Sequence, residues 1–386
     1  MPATILKIGV LTLISAGFHA YVWFRLVHRA RMPRRWHIAI TIVFVLLFLS
    51  VPITTMSRNA WPALSATFGW VSLPWLALAG LTFVALVIID VASLVTHVGR
   101  HAVGRPPPKP SLSRRMFLAR VTGGAAVAIG STSVARGMVS ARGAHEIVDV
   151  EITLAKLPKA LDGFTIVQLS DLHVGMTIDR EFVQRVVDHA NALTPDLIVL
   201  TGDLVDGKVA DLRDEAAPLA NLRAKHGLYA VTGNHEYYSG ADPWIKELTE
   251  LGIRYLRNER VTIADGFDLA GVDDHTARGY KNHGEDLGAA LDGRDPSRPV
   301  VLLAHQPRQV RRAVKHGVDL QLSGHTHGGQ IWPWHYIVKI QQGGLLAGHY
   351  DYEGTQLYVT RGCGYWGPPV RLLASLEITR VILRSA

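Results

Sequence analysis

The sequence predicts a two-part protein, in which an N-terminal transmembrane helical region precedes an α/β domain. Three observations carry this prediction. Uncharged apolar stretches fill most of residues 1–100, short apolar runs alternate with helical spacing from residue 146 onward, and the net charge changes sign between the two parts. Stretches of about 20 apolar residues are typical of membrane-spanning helices. Alternating strands and helices are typical of α/β folds.

Composition and charge exclude several classes of protein. The chain has 386 residues, of which 48% are hydrophobic, and this is too apolar for a disordered chain. The single cysteine, Cys363, excludes an intramolecular disulfide and a cysteine-based zinc module. Residues 1–144 have a net charge of +14 and residues 145–386 a net charge of −6. The second part therefore lacks the basic footprint of a nucleic-acid-binding domain, and no long nucleic acid is expected as a partner.

Residues 1–100 are expected to form a membrane region with three transmembrane helices. These helices are expected at roughly 4–24, 36–56 and 70–96. Arginines are clustered after the first and third helices, whereas only Arg58 lies between the second and third. By the positive-inside rule the two basic segments lie in the cytoplasm, so the N-terminus starts on the outer side.

Residues 101–145 are expected to contain a Pro-rich linker and then an export signal. The prolines of HAVGRPPPKPSLS mark the linker. Arg114 and Arg115 precede Phe117-Leu118 and a weakly apolar run rich in Gly and Ala, and this pattern resembles a twin-arginine signal. The alternative is a basic anchor beside the membrane. A fourth membrane segment here would place the remaining chain outside the cytoplasm.

Residues 146–386 are expected to form one α/β domain. An opening strand is predicted by the alternation from Ile147 to Leu154, and the tail alternates as a strand from Leu376 to Leu383. Between them, buried strands are predicted at 164–169, 197–200, 228–231, 300–304 and 320–323. Helical spacing is found near 179–193, 211–226, 242–252 and 306–316.

Polar side chains follow five of these strands, at the point where each strand ends. They lie in Asp171-Leu-His173, Gly202-Asp203-Leu-Val-Asp206-Gly, Gly233-Asn234-His235-Glu236, His305 and Gly324-His325-Thr-His327-Gly. Open α/β sheets bind ligands at this edge. Nitrogen and oxygen ligands without a thiolate suit Mn, Fe or Zn. There are too many of them for one tetrahedral site, which favours two divalent metal ions about 3.5–4 Å apart.

This ordered set of motifs resembles that of the calcineurin-like metallophosphoesterases. The resemblance covers roughly residues 160–330 and implies a four-layer α/β/β/α sandwich. The extended segment Gly324–Gln330 and the later Arg361-Gly-Cys363-Gly and Pro368–Leu372 resemble the membrane-associated, often twin-arginine-exported branch of the family. Some relatives in that branch are phosphodiesterases, and some act on UDP-diacylglucosamine.

The resemblance also implies a role for each residue. Asp171, His173 and His327 would bind one metal ion. Asn234, His305 and His325 would bind the other, and Asp203 would bridge the two. His235 would face the leaving group rather than a metal. Asp206 would orient His235, the alternative being a turn-forming Asp before Gly207.

The sequence therefore predicts a phosphoesterase that hydrolyses a phosphodiester or pyrophosphate by attack of metal-bound hydroxide. A multi-pass anchor in the cytoplasmic membrane, with the catalytic domain on the outer face, favours a lipid-linked or envelope substrate. The alternatives are a nucleotide or nucleic-acid phosphodiesterase and a non-catalytic metal-binding envelope module. Trp332, Trp334 and Tyr336 follow the last histidine motif. They are expected in a packed loop, with an interfacial contact as the alternative.

Overall fold

The computed structural model describes residues 2–58, 60–104 and 111–386. These residues form two compact units. The helical unit comprises Met1–Met138 with Pro368–Val370, and the sheet unit comprises Val139–Gly367 with Arg371–Ala386. The Pro-rich part of the predicted linker, residues 105–110, lies outside the described residues.

Long helices dominate the first part of the chain. They are α1 (Pro2–Trp23), α2 (Arg34–Ser57), α3 (Pro62–Ala102) and α4 (Leu112–Arg142), and a π-helical turn over Phe24–His28 follows α1. The last three are long and apolar enough to cross a membrane. α3 begins at Pro62 rather than near residue 70. Proline is well suited to the first helical position, where its missing N–H costs no hydrogen bond.

A partly buried ion pair connects the π-helical turn to α3. The Arg25 guanidinium lies 2.7 Å from the Asp90 carboxylate and is 5% exposed. The Tyr21 hydroxyl donates a hydrogen bond of 2.5 Å to the same carboxylate. Charges among apolar helices are costly unless they are paired, so these three side chains neutralise and position one another.

Two six-stranded sheets form the framework of the sheet unit. The first has the order β1-β12-β2-β3-β4-β5 and the second the order β10-β11-β9-β8-β7-β6. The strands are β1 (Glu146–Leu154), β2 (Thr165–Leu169), β3 (Leu197–Leu200), β4 (Leu228–Ala230), β5 (Arg254–Tyr255), β6 (Glu259–Ile263), β7 (Phe267–Gly271), β8 (Val300–Leu303), β9 (Leu320–Ser323), β10 (Gly348–Tyr352), β11 (Thr355–Val359) and β12 (Glu377–Ser385). The remaining helices are α5 (Arg180–Ala192), α6 (Val209–Ala216), α7 (Asn234–Ser239), α8 (Ala241–Glu250), α9 (Leu287–Leu291), α10 (Val310–Ala313) and α11 (His335–Gln341).

The two sheets pack face to face, and helices cover their outer faces. The core between the sheets contains residues of both, such as Val199 and Leu303. Phe182 of α5 and Trp244 of α8 pack on the outer face of the first sheet. Ala290 of α9 contributes to the core on the outer face of the second. The α/β/β/α sandwich implied by the family resemblance is thereby confirmed.

Strand β12 lies between the first two strands of the domain. It pairs in parallel with β1 and antiparallel with β2. Strands β2, β3 and β4 are parallel neighbours, as are β8 and β9. Their carboxyl ends therefore meet at one edge of each sheet, which is where the motif loops begin.

Two predicted helices are shorter than their spacing indicates. The segment expected to be helical over 211–226 is α-helical only to Ala216 and continues as a 3₁₀ turn over Ala217–Asn221. Pro218 explains the change, because proline cannot donate the hydrogen bond that an α-helix requires. The segment 306–316 divides into a 3₁₀ turn, the short α10 and a second 3₁₀ turn.

Candidate metal centre

Loops at the carboxyl ends of five strands carry all of the predicted site residues. The loops follow β2, β3, β4, β8 and β9. The residues concerned are Asp171, His173, Asp203, Asp206, Asn234, His235, His305, His325 and His327. The structure brings these side chains together.

The backbone of these loops is strained and closely packed. Left-handed φ angles, which residues other than glycine rarely adopt, occur at Asp171, His173, Asp203, His325 and His327. Such strain is concentrated at functional sites in proteins. Gly233 and Gly324 allow the close approach: a Cβ at either would lie 2.2 Å from a carboxylate oxygen, of Asp203 and Asp171 respectively.

One group of candidate ligands consists of Asp171, His173 and His327. The Nε2 atoms of the two histidines are 3.0 Å apart. His327 Nε2 lies 3.5 Å from Asp171 Oδ1. All three residues are buried, and their ligand atoms lie within 4.8 Å of one another.

A second group consists of Asp203, His305 and His325. His305 Nε2 lies 3.1 Å from Asp203 Oδ2 and 3.1 Å from His325 Nδ1. His305 Nδ1 is 2.8 Å from the carbonyl oxygen of Thr201, to which it donates a hydrogen bond. That bond fixes the ring and leaves Nε2 facing the other two ligands, as is usual for metal-binding histidines.

Asp203 lies between the two groups. Its Oδ2 atom is 3.1 Å from His305 Nε2 and 3.8 Å from His173 Nε2. Its Oδ1 atom accepts a hydrogen bond of 2.8 Å from the backbone N–H of His235. Oδ2 thus faces both groups of candidate ligands, while Oδ1 is held by the backbone N–H of His235. This is the geometry that a bridging carboxylate requires.

The donor set fits divalent metal ions. Among the described residues, Asn234 Oδ1 is a buried polar atom without a hydrogen-bond partner. Buried polar atoms are normally satisfied, so an unpaired acceptor at this site requires another explanation. A cation beside Asn234 Oδ1 would supply it, and the surrounding imidazole nitrogens and carboxylate oxygens match the ligand preferences of Zn, Fe and Mn.

The ionisation of two of the candidate histidine ligands supports the same fit. Burial lowers the pKa of His325 to about 3 and also lowers the pKa of His327 well below its usual value. Both imidazoles are therefore neutral, which is the form that binds metal. Burial opposes ionisation of Asp203, but the neighbouring His305 and His235 outweigh it and hold the pKa of this carboxyl well below its usual value.

His235 and Asp206 form a close pair beside the ligands. His235 Nδ1 contacts Asp206 Oδ1, and Asp206 Oδ2 lies 3.3 Å from His173 Nδ1. Burial alone would lower the pKa of His235, but the carboxylates of Asp206 and Asp203 outweigh it and raise this pKa to about 9. His235 also lies within 4.8 Å of ligand atoms of His173 and Asp203. Its role as a non-ligand remains a prediction.

Glu236 has a positioning role that its sequence motif does not reveal. This carboxylate is fully buried and accepts backbone hydrogen bonds from Asp203, Leu204 and Gly233, at 2.9, 2.6 and 2.6 Å. It therefore holds the loop that carries Asp203 against the loop that carries Asn234. The motif placed Glu236 at the site, but only the folded loops reveal which N–H groups it binds.

Residues from outside the strand-end motifs also contribute. The aromatic rings of Tyr238 and Trp366 lie 5.3 and 5.6 Å from that of His235. The Arg371 guanidinium is fully buried and donates hydrogen bonds to the carbonyl oxygens of His327 and Gly364. Cys363 is buried and free, and burial raises the pKa of its thiol to about 12, so the thiol stays protonated at neutral pH.

Comparison with known proteins identifies relatives over most of the chain. The profile of the calcineurin-like phosphoesterase family matches residues 164–329. A transmembrane protein with metallophosphoesterase domain from Danio rerio is 34% identical over 328 residues, covering 82% of this chain and 74% of that protein. The uncharacterized metallophosphoesterase YkuE of Bacillus subtilis is 34% identical over 288 residues, covering 71% of this chain and 98% of YkuE. An uncharacterized metallophosphoesterase of Helicobacter pylori is 42% identical, and the match spans 65% of its length.

Proposed function

The chain belongs to the calcineurin-like phosphoesterase family, and on that premise we propose that it hydrolyses a phosphodiester or pyrophosphate bond of a membrane-resident substrate. Metal-dependent phosphoester hydrolysis follows from the family. The bond cleaved, the lipid-linked or envelope nature of the substrate and the role of each residue are the proposal. The observation that carries it is the position of Asp203 Oδ2 between two groups of buried ligands.

Seven residues would hold two metal ions. Asp171, His173 and His327 would bind the first ion, and Asn234, His305 and His325 the second, with Asp203 shared between them. When bound, two divalent ions polarise phosphoryl oxygens and lower the pKa of a coordinated water. The protein itself fixes the geometry of the ligands. It does so through the strained loops and through the hydrogen bond from the His305 ring to the Thr201 carbonyl oxygen.

His235 would deliver a proton to the leaving oxygen. Asp206 contacts Nδ1 of the ring, which leaves Nε2 available to a substrate. The raised pKa of His235 keeps this ring protonated at neutral pH, so it is able to donate. Asp206 is thus a positioning residue that orients the ring and stabilises its charge.

The variants His235→Ala and His305→Ala test this division of roles. His235→Ala should retain both metal ions and lose roughly 10²–10⁴-fold in turnover of substrates with poor leaving groups. The loss should be smaller for an activated aryl leaving group, which needs little protonation. His305→Ala should instead lose metal and recover partly in excess Mn. Metal content measured by mass spectrometry decides the matter: loss of metal from His235→Ala that excess Mn reverses would make His235 a ligand.

The membrane topology is part of the same proposal. The apolar helices α2, α3 and α4 support a multi-pass anchor, and Arg114 and Arg115 lie in the first turn of α4. We propose that the twin-arginine route exports the sheet unit to the outer face of the cytoplasmic membrane. A reporter fused after Ala386 should be active outside the cytoplasm, and replacing both arginines with Lys should retain it inside. If that variant is exported as well as the wild-type protein, Arg114 and Arg115 are a basic anchor beside the membrane and not an export signal.

A further inference from the structure

Six large apolar or aromatic side chains near the candidate metal centre are exposed. We call them the apolar rim, and they are Trp334, Tyr336, Ile337, Ile340, Trp366 and Leu373. Ile340 is 80% exposed and Leu373 is 85% exposed. Single exposed apolar residues are ordinary, but a group of them on one surface marks an interaction site.

The rim residues come from two segments of the chain that run side by side at Gln330 and Ile331. The side chain of Gln330 donates to the Trp366 carbonyl at 2.8 Å and accepts from the Trp366 N–H at 2.9 Å. Ile331 pairs with Leu372 in an isolated β-bridge. The segment leading into α11 therefore runs beside the segment that carries Trp366 and Leu373.

The rim adjoins the candidate metal centre. The Trp366 ring lies 5.6 Å from the ring of His235, the residue assigned to the leaving group. His327, a candidate ligand, stands only three residues before Gln330 in the chain. A molecule that contacts Trp366 is thus within reach of the centre.

The charge of the rim differs from that of its domain. Residues 145–386 carry a net charge of −6, yet residues 320–350 and 354–376 contain neither Asp nor Glu. The exposed Lys339 of α11 lies between Ile337 and Ile340. Segments that combine Trp, Tyr and Ile with a basic residue and contain no acid have the composition of protein segments that lie at the membrane interface.

We propose that the apolar rim lies in the interfacial layer of the bilayer in which this chain is anchored, so that the candidate centre opens toward lipid headgroups. The anchor is close in sequence, because α4 ends at Arg142 and β1 begins at Glu146. That connection spans at most about 14 Å. The inference rests on the proposed function, since it assigns a lipid-borne phosphoester as the substrate class.

Quenching by nitroxide lipids tests the position of the rim without any need for catalysis. The full chain carrying Ile340→Cys would be labelled with a fluorophore and reconstituted in phosphatidylcholine nanodiscs that contain headgroup-proximal nitroxides. The native Cys363 is buried, so the added cysteine is the labelled one. The matched control is Lys225→Cys, exposed and located before β4, at the edge of the sheet opposite the site.

The label at position 340 should be quenched strongly and the label at position 225 weakly. An interfacial side chain lies within ~5–10 Å of the headgroup boundary, well inside the range of the quencher. Equal quenching at the two positions would overturn the proposal. So would weak quenching of the label at position 340 by lipid together with self-quenching between copies, which would identify the rim as a contact between chains.

A kinetic test separates the rim from the hydrolytic site. The double variant Ile337→Ser, Ile340→Ser should raise the KM for a fluorogenic phosphodiester that carries an acyl chain in vesicles by roughly tenfold. It should leave hydrolysis of a soluble aryl phosphodiester unchanged, as should the control Lys225→Ser. An equal loss on both substrates would overturn the proposal. If the wild-type protein hydrolyses neither substrate, the proposed function fails, while the quenching result still decides the position of the rim.

Discussion

Glu236→Gln should loosen the candidate metal centre without removing a single ligand. The substitution preserves the size of the side chain but replaces one carboxylate oxygen with an NH₂ group. In the native structure Oε2 accepts from Asp203 and Gly233, and Oε1 accepts from Leu204. Whichever way the amide is placed, at least one buried N–H group faces a donor instead of an acceptor.

The cost follows from these contacts. In the most favourable orientation of the amide, its nitrogen faces the Leu204 N–H. That N–H then loses its hydrogen bond of 2.6 Å. A buried donor left without an acceptor costs about 1–3 kcal/mol. Because the two loops carry Asp203 and Asn234, we expect a decrease of about this size in the free energy of unfolding, together with weaker metal binding.

Chemical unfolding of the full chain in detergent measures the first quantity, and metal content after dialysis against a chelator measures the second. Glu250→Gln is the matched control, because it makes the same change at an exposed position at the end of α8, 4.0 Å from Lys246. A Glu236→Gln protein with the stability and metal content of the Glu250→Gln protein would refute the positioning role.

Two other predictions follow from buried groups. Asp203→Asn keeps the size of the side chain but removes the shared negative charge, so both metal content and turnover should collapse; normal occupancy of two metals, measured by mass spectrometry, would contradict the bridging role. Burial lowers the pKa of His145 to about 4 although its ring contacts the Cys363 carbonyl. The unfolded chain takes up this proton near pH 6.5 and the folded chain only near pH 4. The free energy of unfolding should therefore decrease by about 1.4 kcal/mol for each pH unit as the pH is lowered between these values. His145→Gln should flatten that dependence in unfolding measured from pH 7 to pH 4, and an unchanged slope would rule out this origin.

The places of the candidate ligands at the strand ends were predictable because the sequence signal is local. Asp171 and His305 come within two residues of the ends of buried strands, and the carboxyl ends of parallel strands meet at one edge. The helical unit was predictable for a similar reason, since apolar length alone identifies α2 and α3.

Other features of the site and of the sheets depend on contacts between distant segments, which no local sequence pattern predicts. Trp366 reaches His235 only because Gln330 holds its backbone, and Arg371 reaches the His327 carbonyl from a loop that follows β11. The short strand β5 and the edge strand β10 carry too few apolar residues for their alternation to be recognised. Each of these features forms only after the sheets have assembled.

The place of β12 between β1 and β2 determines when the domain is able to fold. Strands β1 and β2 leave the ribosome long before residues 377–385 are synthesised. Until then β1 lacks the strand that it pairs with, and β2 exposes a sheet edge. Pairings between such distant segments are slow to form, because a long loop must close first. Synthesis alone therefore cannot complete the sandwich strand by strand, because the place between β1 and β2 stays empty until residues 377–385 have been synthesised. Substitutions in β12 should accordingly act on the yield of folded protein before they act on its chemistry.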